Sequence, residues 1–144
     1  MDIRHLVKGS KLVLPIWRTG ALFSVGDVHA AQGDGEVCVT AIECPGKVKL
    51  EFEVLKGMKL DSPRFSTPKM DSEGEFATTG ISPDLLEASR IAVRGMINYL
   101  SDEYDLTCEE AYILCSIAGD LKIHEVVDAP NWVVGFAMSN SVLH

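Results

Sequence analysis

Apolar and polar positions alternate most strictly over residues 48–55. Val48, Leu50, Phe52 and Val54 fall on one side there, and Lys49, Glu51 and Glu53 on the other. A period of two predicts a half-buried strand. The Cys44-Pro45-Gly46-Lys47 turn before it predicts a hairpin with a strand over residues 36–43. Residues 11–17 and 21–25 read as apolar strands separated by Arg18-Thr19-Gly20, and Pro15 places the first at an edge or bend. Short strands are expected at 64–67 and 75–79, inside and after a turn-rich stretch over 57–74, and two more at 121–127 and 132–138.

Between these strands the period changes to that of a helix. Leu85, Ala88, Ile91, Ala92 and Met96 recur on one face, with Arg90 and Arg94 opposite. Ser82-Pro83-Asp84 predicts a start with Ser82 as N-cap and Pro83 in the first position. Gly95 is a soft position, costing about 1 kcal/mol relative to Ala in a helix interior. Thr107-Cys108-Glu109-Glu110 has the form of a capping box, and Gly119 closes the second helix. The order predicts an α+β fold in one domain over residues 1–144. It would be a mostly antiparallel, β-rich sandwich or barrel-like sheet, with helices at about 83–100 and 108–118 before the final strands.

Composition narrows the function classes. Hydrophobic residues make up 47% of the chain, enough for a substantial core. The net charge of −8 argues against nucleic acid or an anionic membrane surface as partner. No apolar run approaches the ~20 residues that span a bilayer, and Met1-Asp2-Ile3-Arg4-His5 opens no signal-peptide pattern, so the expected location is cytoplasmic. Cys38, Cys44, Cys108 and Cys115 form no C-x-x-C pair and are expected reduced, with Cys38 and Cys115 in the core and Cys44 the most exposed thiol.

The candidate chemistry is concentrated in residues 26–36, which carry Asp27, His29, Gln32, Asp34 and Glu36 between apolar runs. Asp27 and His29 are two apart, as are Asp34 and Glu36, so each pair shares a face in extended chain. Gly33 and Gly35 flank Asp34 and allow a tight turn between the pairs. Carboxylates with imidazole suit zinc, manganese or iron; a carboxylate outside the metal's own ligands suits a general base. Acidic residues with glycine also make solvated turns, and a lone histidine often serves only a local hydrogen bond, so spacing leaves both readings open. Elsewhere, His124 alternates with apolar neighbours as a satisfied sheet histidine would, and His5 and His144 are expected in solvent.

The whole run from Gly20 to Glu36, G-A-L-F-S-V-G-D-V-H-A-A-Q-G-D-G-E, resembles the signature of the acetamidase/formamidase family. Leu12-Val13-Leu14-Pro15, Thr79-Gly80-Ile81, Glu110-Ala111-Tyr112 and Gly119-Asp120-Leu121-Lys122-Ile123 resemble its other blocks, and Val28 stands where the family commonly has glycine. The resemblance covers nearly the whole chain but only the C-terminal part of the longer family pattern. It implies a β-rich fold and hydrolysis of small linear amides such as formamide and acetamide to the acid and ammonia. It further implies a divalent metal, zinc first, on Asp27 and His29, with catalytic roles for Gln32, Asp34 and Glu36, and Gly26, Gly33 and Gly35 as backbone requirements. The implied partner is a second copy or a chain supplying the N-terminal half. The alternative is a non-catalytic oligomerising domain that has lost its co-ligands; a cupin-like metal barrel lacks its His-x-His pair here.

Overall fold

The computed structural model describes residues 1–68 and 73–143; His144, and the part of the turn-rich stretch at 69–72, lie outside the described residues. The elements are β1 (Lys11–Val13), β2 (His29–Ala31), β3 (Ile42–Glu43), β4 (Arg64–Ser66), β5 (Glu75–Ser82), α1 (Leu85–Tyr104), α2 (Cys108–Ala118), β6 (Gly119–Glu125), β7 (Trp132–Ser139) and α3 (Asn140–Leu143). Five strands form an antiparallel sheet in the order β1-β4-β5-β7-β6, and β2 and β3 form a separate ribbon. The fold is α+β as expected, and the sheet stays open rather than closing as a barrel.

The core follows from β7, whose side chains alternate between two apolar environments. Val134, Phe136 and Met138 pack against Ala88, Ala92, Met96 and Leu100 of α1 and Ala111 and Cys115 of α2. Val133 and Ala137 point the other way and meet Ile3, Phe65 and Ala77. Helix α1 lies unusually close to β5, because a Cβ on Gly80 would sit 1.8 Å from the Ala88 carbonyl oxygen. Thr78 adds a buried hydrogen bond from its Oγ1 to the Ala92 carbonyl at 2.7 Å, and Gly95 packs on the same threonine. The glycine expected as a soft spot is therefore a contact point between helix and sheet.

Helix α2 starts as expected: Thr107 Oγ1 accepts from the Glu110 amide at 3.2 Å, and Glu110 accepts from the Thr107 amide at 2.9 Å. Helix α1 starts later than expected. Its N-cap is Asp84, whose carboxylate accepts from the Glu87 amide at 2.7 Å. Ser82 remains in β5, paired with Trp132, so the sheet ladder holds the residue that local pattern assigned to the cap.

Two expected strands do not form. Residues 21–25 and 48–55 carry no strand, and residues 36–43 reduce to β3, which pairs with β2 instead. Leu22, Phe52 and Val54 are 76%, 70% and 68% exposed, and Phe23 and Phe52 meet edge to face at 5.2 Å. A half-buried strand needs both a hydrogen-bonding neighbour and an apolar surface to cover its face. Among the described residues, no strand supplies either to this arm. Cys38, expected in the core, is exposed for the same reason, and Cys44, expected as the most exposed thiol, is half-buried; Cys115 is buried as expected.

Candidate active site

The site lies on the β2–β3 ribbon. His29 opens β2 and pairs in register with Glu43 of β3, which brings the two side chains to one face. His29 Nε2 lies 3.2 Å from Asp27 Oδ1, 3.3 Å from Glu43 Oε1 and 3.8 Å from Glu36 Oε1. Its other ring nitrogen, Nδ1, lies 3.1 Å from Gln32 Oε1. An amide oxygen only accepts, so this contact assigns the ring hydrogen to Nδ1. Nε2 is then left buried, without a hydrogen bond, among three carboxylates. A lone pair facing carboxylate oxygens is repelled, so this position favours either a proton on Nε2 or a cation in front of it. The Gln32 hydrogen bond, followed by Asp27, Glu43 and Glu36, accordingly raises the His29 pKa.

The carboxylates differ in character. Glu36 is buried, and that burial, with repulsion from Asp2, Asp128 and Asp27, raises its pKa against the pull of His29. Asp27 is exposed, and hydrogen bonding with Glu43, followed by the His29 interaction, lowers its pKa. Asp27 and Glu36 both hold positive φ, 59° and 46°, a conformation unusual for residues with a Cβ. The Gln32 amide donates to the Asp2 carbonyl at 3.4 Å, so both of its ends are engaged. An open groove of about 540 Å³ runs beside the site, lined by Gln32, Asp34, Glu36 and Thr40 among others but not by Asp27, His29 or Glu43.

The turn before Glu36 divides the expected site residues. Gly35, at φ +89°, donates to the His124 carbonyl at 3.0 Å and accepts from the Val126 amide at 3.2 Å, which clamps the turn to the end of β6. Gly26 and Gly33 have neither positive φ nor a crowded Cβ direction, so of the three glycines only Gly35 is required by the backbone. The clamp sends Glu36 to His29 and Asp34 elsewhere. Asp34 Oδ1 forms an ion pair with Arg4 Nε at 3.1 Å and lies 3.9 Å from His5 Nδ1. His5, Asp34 and His124 form a second cluster whose ligand-type atoms lie within 4.8 Å of one another. Thus Asp27, His29, Gln32 and Glu36 come together, and Asp34 does not join them. Glu43, His5 and His124 were not among the expected site residues. His124 is buried with Nδ1 unpartnered, not the satisfied sheet histidine expected, and His5 is half-buried rather than solvated. Only Glu43 lay on an expected strand, but that strand was expected to pair with residues 48–55, and Glu43 faces His29 because it pairs with β2 instead.

Asp27, His29 and Glu43 meet the ligand requirements of a borderline divalent cation, their ligand-type atoms also lying within 4.8 Å of one another. The orphaned Nε2 is the observation that fits such an ion. The model describing the acetamidase/formamidase family matches residues 1–144. The chain belongs to the acetamidase/formamidase family. It is 31% identical to an acetamidase of Mycolicibacterium smegmatis, the match covering 78% of this chain and 32% of that protein. The crystal structure of a recombinant predicted acetamidase/formamidase from Thermoanaerobacter tengcongensis is 37% identical, with a TM-score of 0.89 over 99% of this chain and 46% of that one. An acetamidase from Bacillus halodurans is 32% identical, with a TM-score of 0.87 over the same shares. This member of the family therefore spans less than half the length of the relatives it matches. Among its described residues, no helix is long and apolar enough to cross a membrane.

Proposed function

We propose that this chain carries the amide-hydrolysing centre of an acetamidase/formamidase-type enzyme, acting on small linear amides to give the carboxylic acid and ammonia. The observation that carries this reading is His29 Nε2, buried and unbonded among Asp27, Glu43 and Glu36 on the segment bearing the family signature. Asp27, His29 and Glu43 would hold a divalent cation, zinc first. When bound, such an ion acidifies a water and polarises the amide carbonyl. Glu36 is the general base: its raised pKa and buried position suit taking a proton from the attacking water and passing it to the departing nitrogen as the C–N bond breaks. Gln32 acts as a positioning residue, fixing the His29 ring through Nδ1.

The reading includes a second polypeptide surface over the site, from another copy or from a chain equivalent to the rest of the family fold. The exposed apolar arm over residues 48–55 supports it, as does a second apolar surface formed by Tyr112, Ile113 and Ile117 of α2 with Leu121 of β6. The test is ammonia release from formamide and acetamide by zinc-loaded protein, alone and with a polypeptide supplying the remaining part of the fold. Release abolished by Glu36→Gln supports the reading. No release in either condition overturns it in favour of a non-catalytic, oligomerising domain.

A further inference from the structure

We propose that His5, Asp34 and His124 form a separate binding site for a divalent transition cation on the opposite side of the Gly35 turn. The three residues come from the N-terminal segment, the turn and β6, so only the folded chain assembles them. His124 is 2% exposed and its Nδ1 has no hydrogen-bond partner. A buried nitrogen left unbonded is a standing cost to the fold unless something binds it. His5 Nδ1 is orphaned as well, and it faces Asp34 Oδ1.

The histidine is also held in place. Its ring meets Phe65 and His5 edge to face, with centroids 5.7 Å and 5.5 Å away. Its Nε2 fills the space over Gly135, where a Cβ would lie 2.2 Å from it. The ring cannot turn Nδ1 toward another partner without losing that packing. Burial, followed by the neighbouring His5, lowers the His124 pKa to about 4, and burial lowers that of His5 as well. Both imidazoles are then neutral near pH 7 and present lone pairs, the form in which histidine binds metals.

The surrounding charges are Arg4, which pairs with Asp34 from an exposed position, and Lys122, whose ammonium is bound to Glu75 at 2.7 Å. Arg4 is the group a cation would displace. Two imidazoles with one carboxylate select zinc, cobalt or iron(II) over magnesium or calcium, which prefer all-oxygen sites.

The test is a cobalt(II) titration of the metal-free full chain in a His29→Gln background, followed by visible absorption. That background removes the imidazole of the Asp27, His29 and Glu43 cluster, so the result does not depend on the amidase reading. The expected result is uptake of one equivalent, displaced by zinc but not by magnesium. His124→Asn should abolish it. His5→Gln, a change at a less buried position, should weaken it by roughly tenfold or more. No cobalt uptake by the His29→Gln protein overturns the proposal, as does uptake that His5→Gln leaves unchanged in a protein with native circular dichroism.

Discussion

Replacing Phe52 by Ser separates the isolated fold from the assembly it is proposed to enter. Phe52 is 70% exposed, and the ring contact described for it is with Phe23. An aromatic pair contributes about 0.5–1.5 kcal/mol, and exposed positions otherwise contribute within about 0.5 kcal/mol. The cost to the isolated chain should therefore be about 1 kcal/mol or less. Covering the ring in an assembly should contribute much more. Full burial of such a side chain stabilises by about 1.5–3 kcal/mol, and most of that burial is still to be made. The substitution should weaken association by about 2 kcal/mol, or roughly 30-fold in Kd. Sedimentation over a concentration series, with the chain alone and with the remaining part of the family fold, measures the second quantity; urea denaturation measures the first. A buried core control such as Met96→Ala should cost the isolated chain about 2–5 kcal/mol. A destabilisation of the isolated chain by Phe52→Ser as large as that of the control, with association unchanged, would show that Phe52 belongs to the core of the isolated fold and not to a covered surface.

Gly80→Ala should be severe for so small a change, because its Cβ would meet the Ala88 carbonyl oxygen at 1.8 Å and the backbones must separate. About 3 kcal/mol is expected, lowering Tm by roughly 10 °C in calorimetry for a domain of this size. At the start of α2, Thr107→Ala should cost about 1 kcal/mol in urea denaturation at pH 7. Glu110 gives the same cap a pH signature. Hydrogen bonds from the Thr107 amide and hydroxyl hold its carboxylate below the ordinary range. Its contribution is present above the unfolded value near 4.5 and is lost as pH falls through the lower folded value. Glu110→Gln should therefore flatten that part of the acid denaturation profile, and an unchanged profile would contradict the assignment.

How much of this was legible in the chain depends on how local each signal is. Helix α2 could be placed because Thr107 and Glu110 cap it within one turn. The start of α1 was misplaced because Ser82 answers to its partner Trp132 across the sheet, which no local pattern reveals. The alternation over residues 48–55 predicts a half-buried strand, yet every residue of that run is exposed, because a face becomes a strand only when another segment pairs with it. At the site, Asp27, His29, Gln32 and Glu36 could be grouped because they share one short segment. Asp34 could not be separated from them, since its partners Arg4, His5 and His124 come from distant positions joined by the fold. Glu43 lies between these cases, as it faces His29 only once the hairpin register is known.

His29 is proposed to anchor a metal-dependent amide-hydrolysing site. The most direct measurement is ammonia release from formamide by zinc-loaded protein, completed by the remaining part of the family fold, compared between wild type and His29→Gln. Release by the wild type is expected, with loss of both release and one equivalent of bound zinc in the variant. Equal release by the two proteins, or none by the completed wild type, would contradict it.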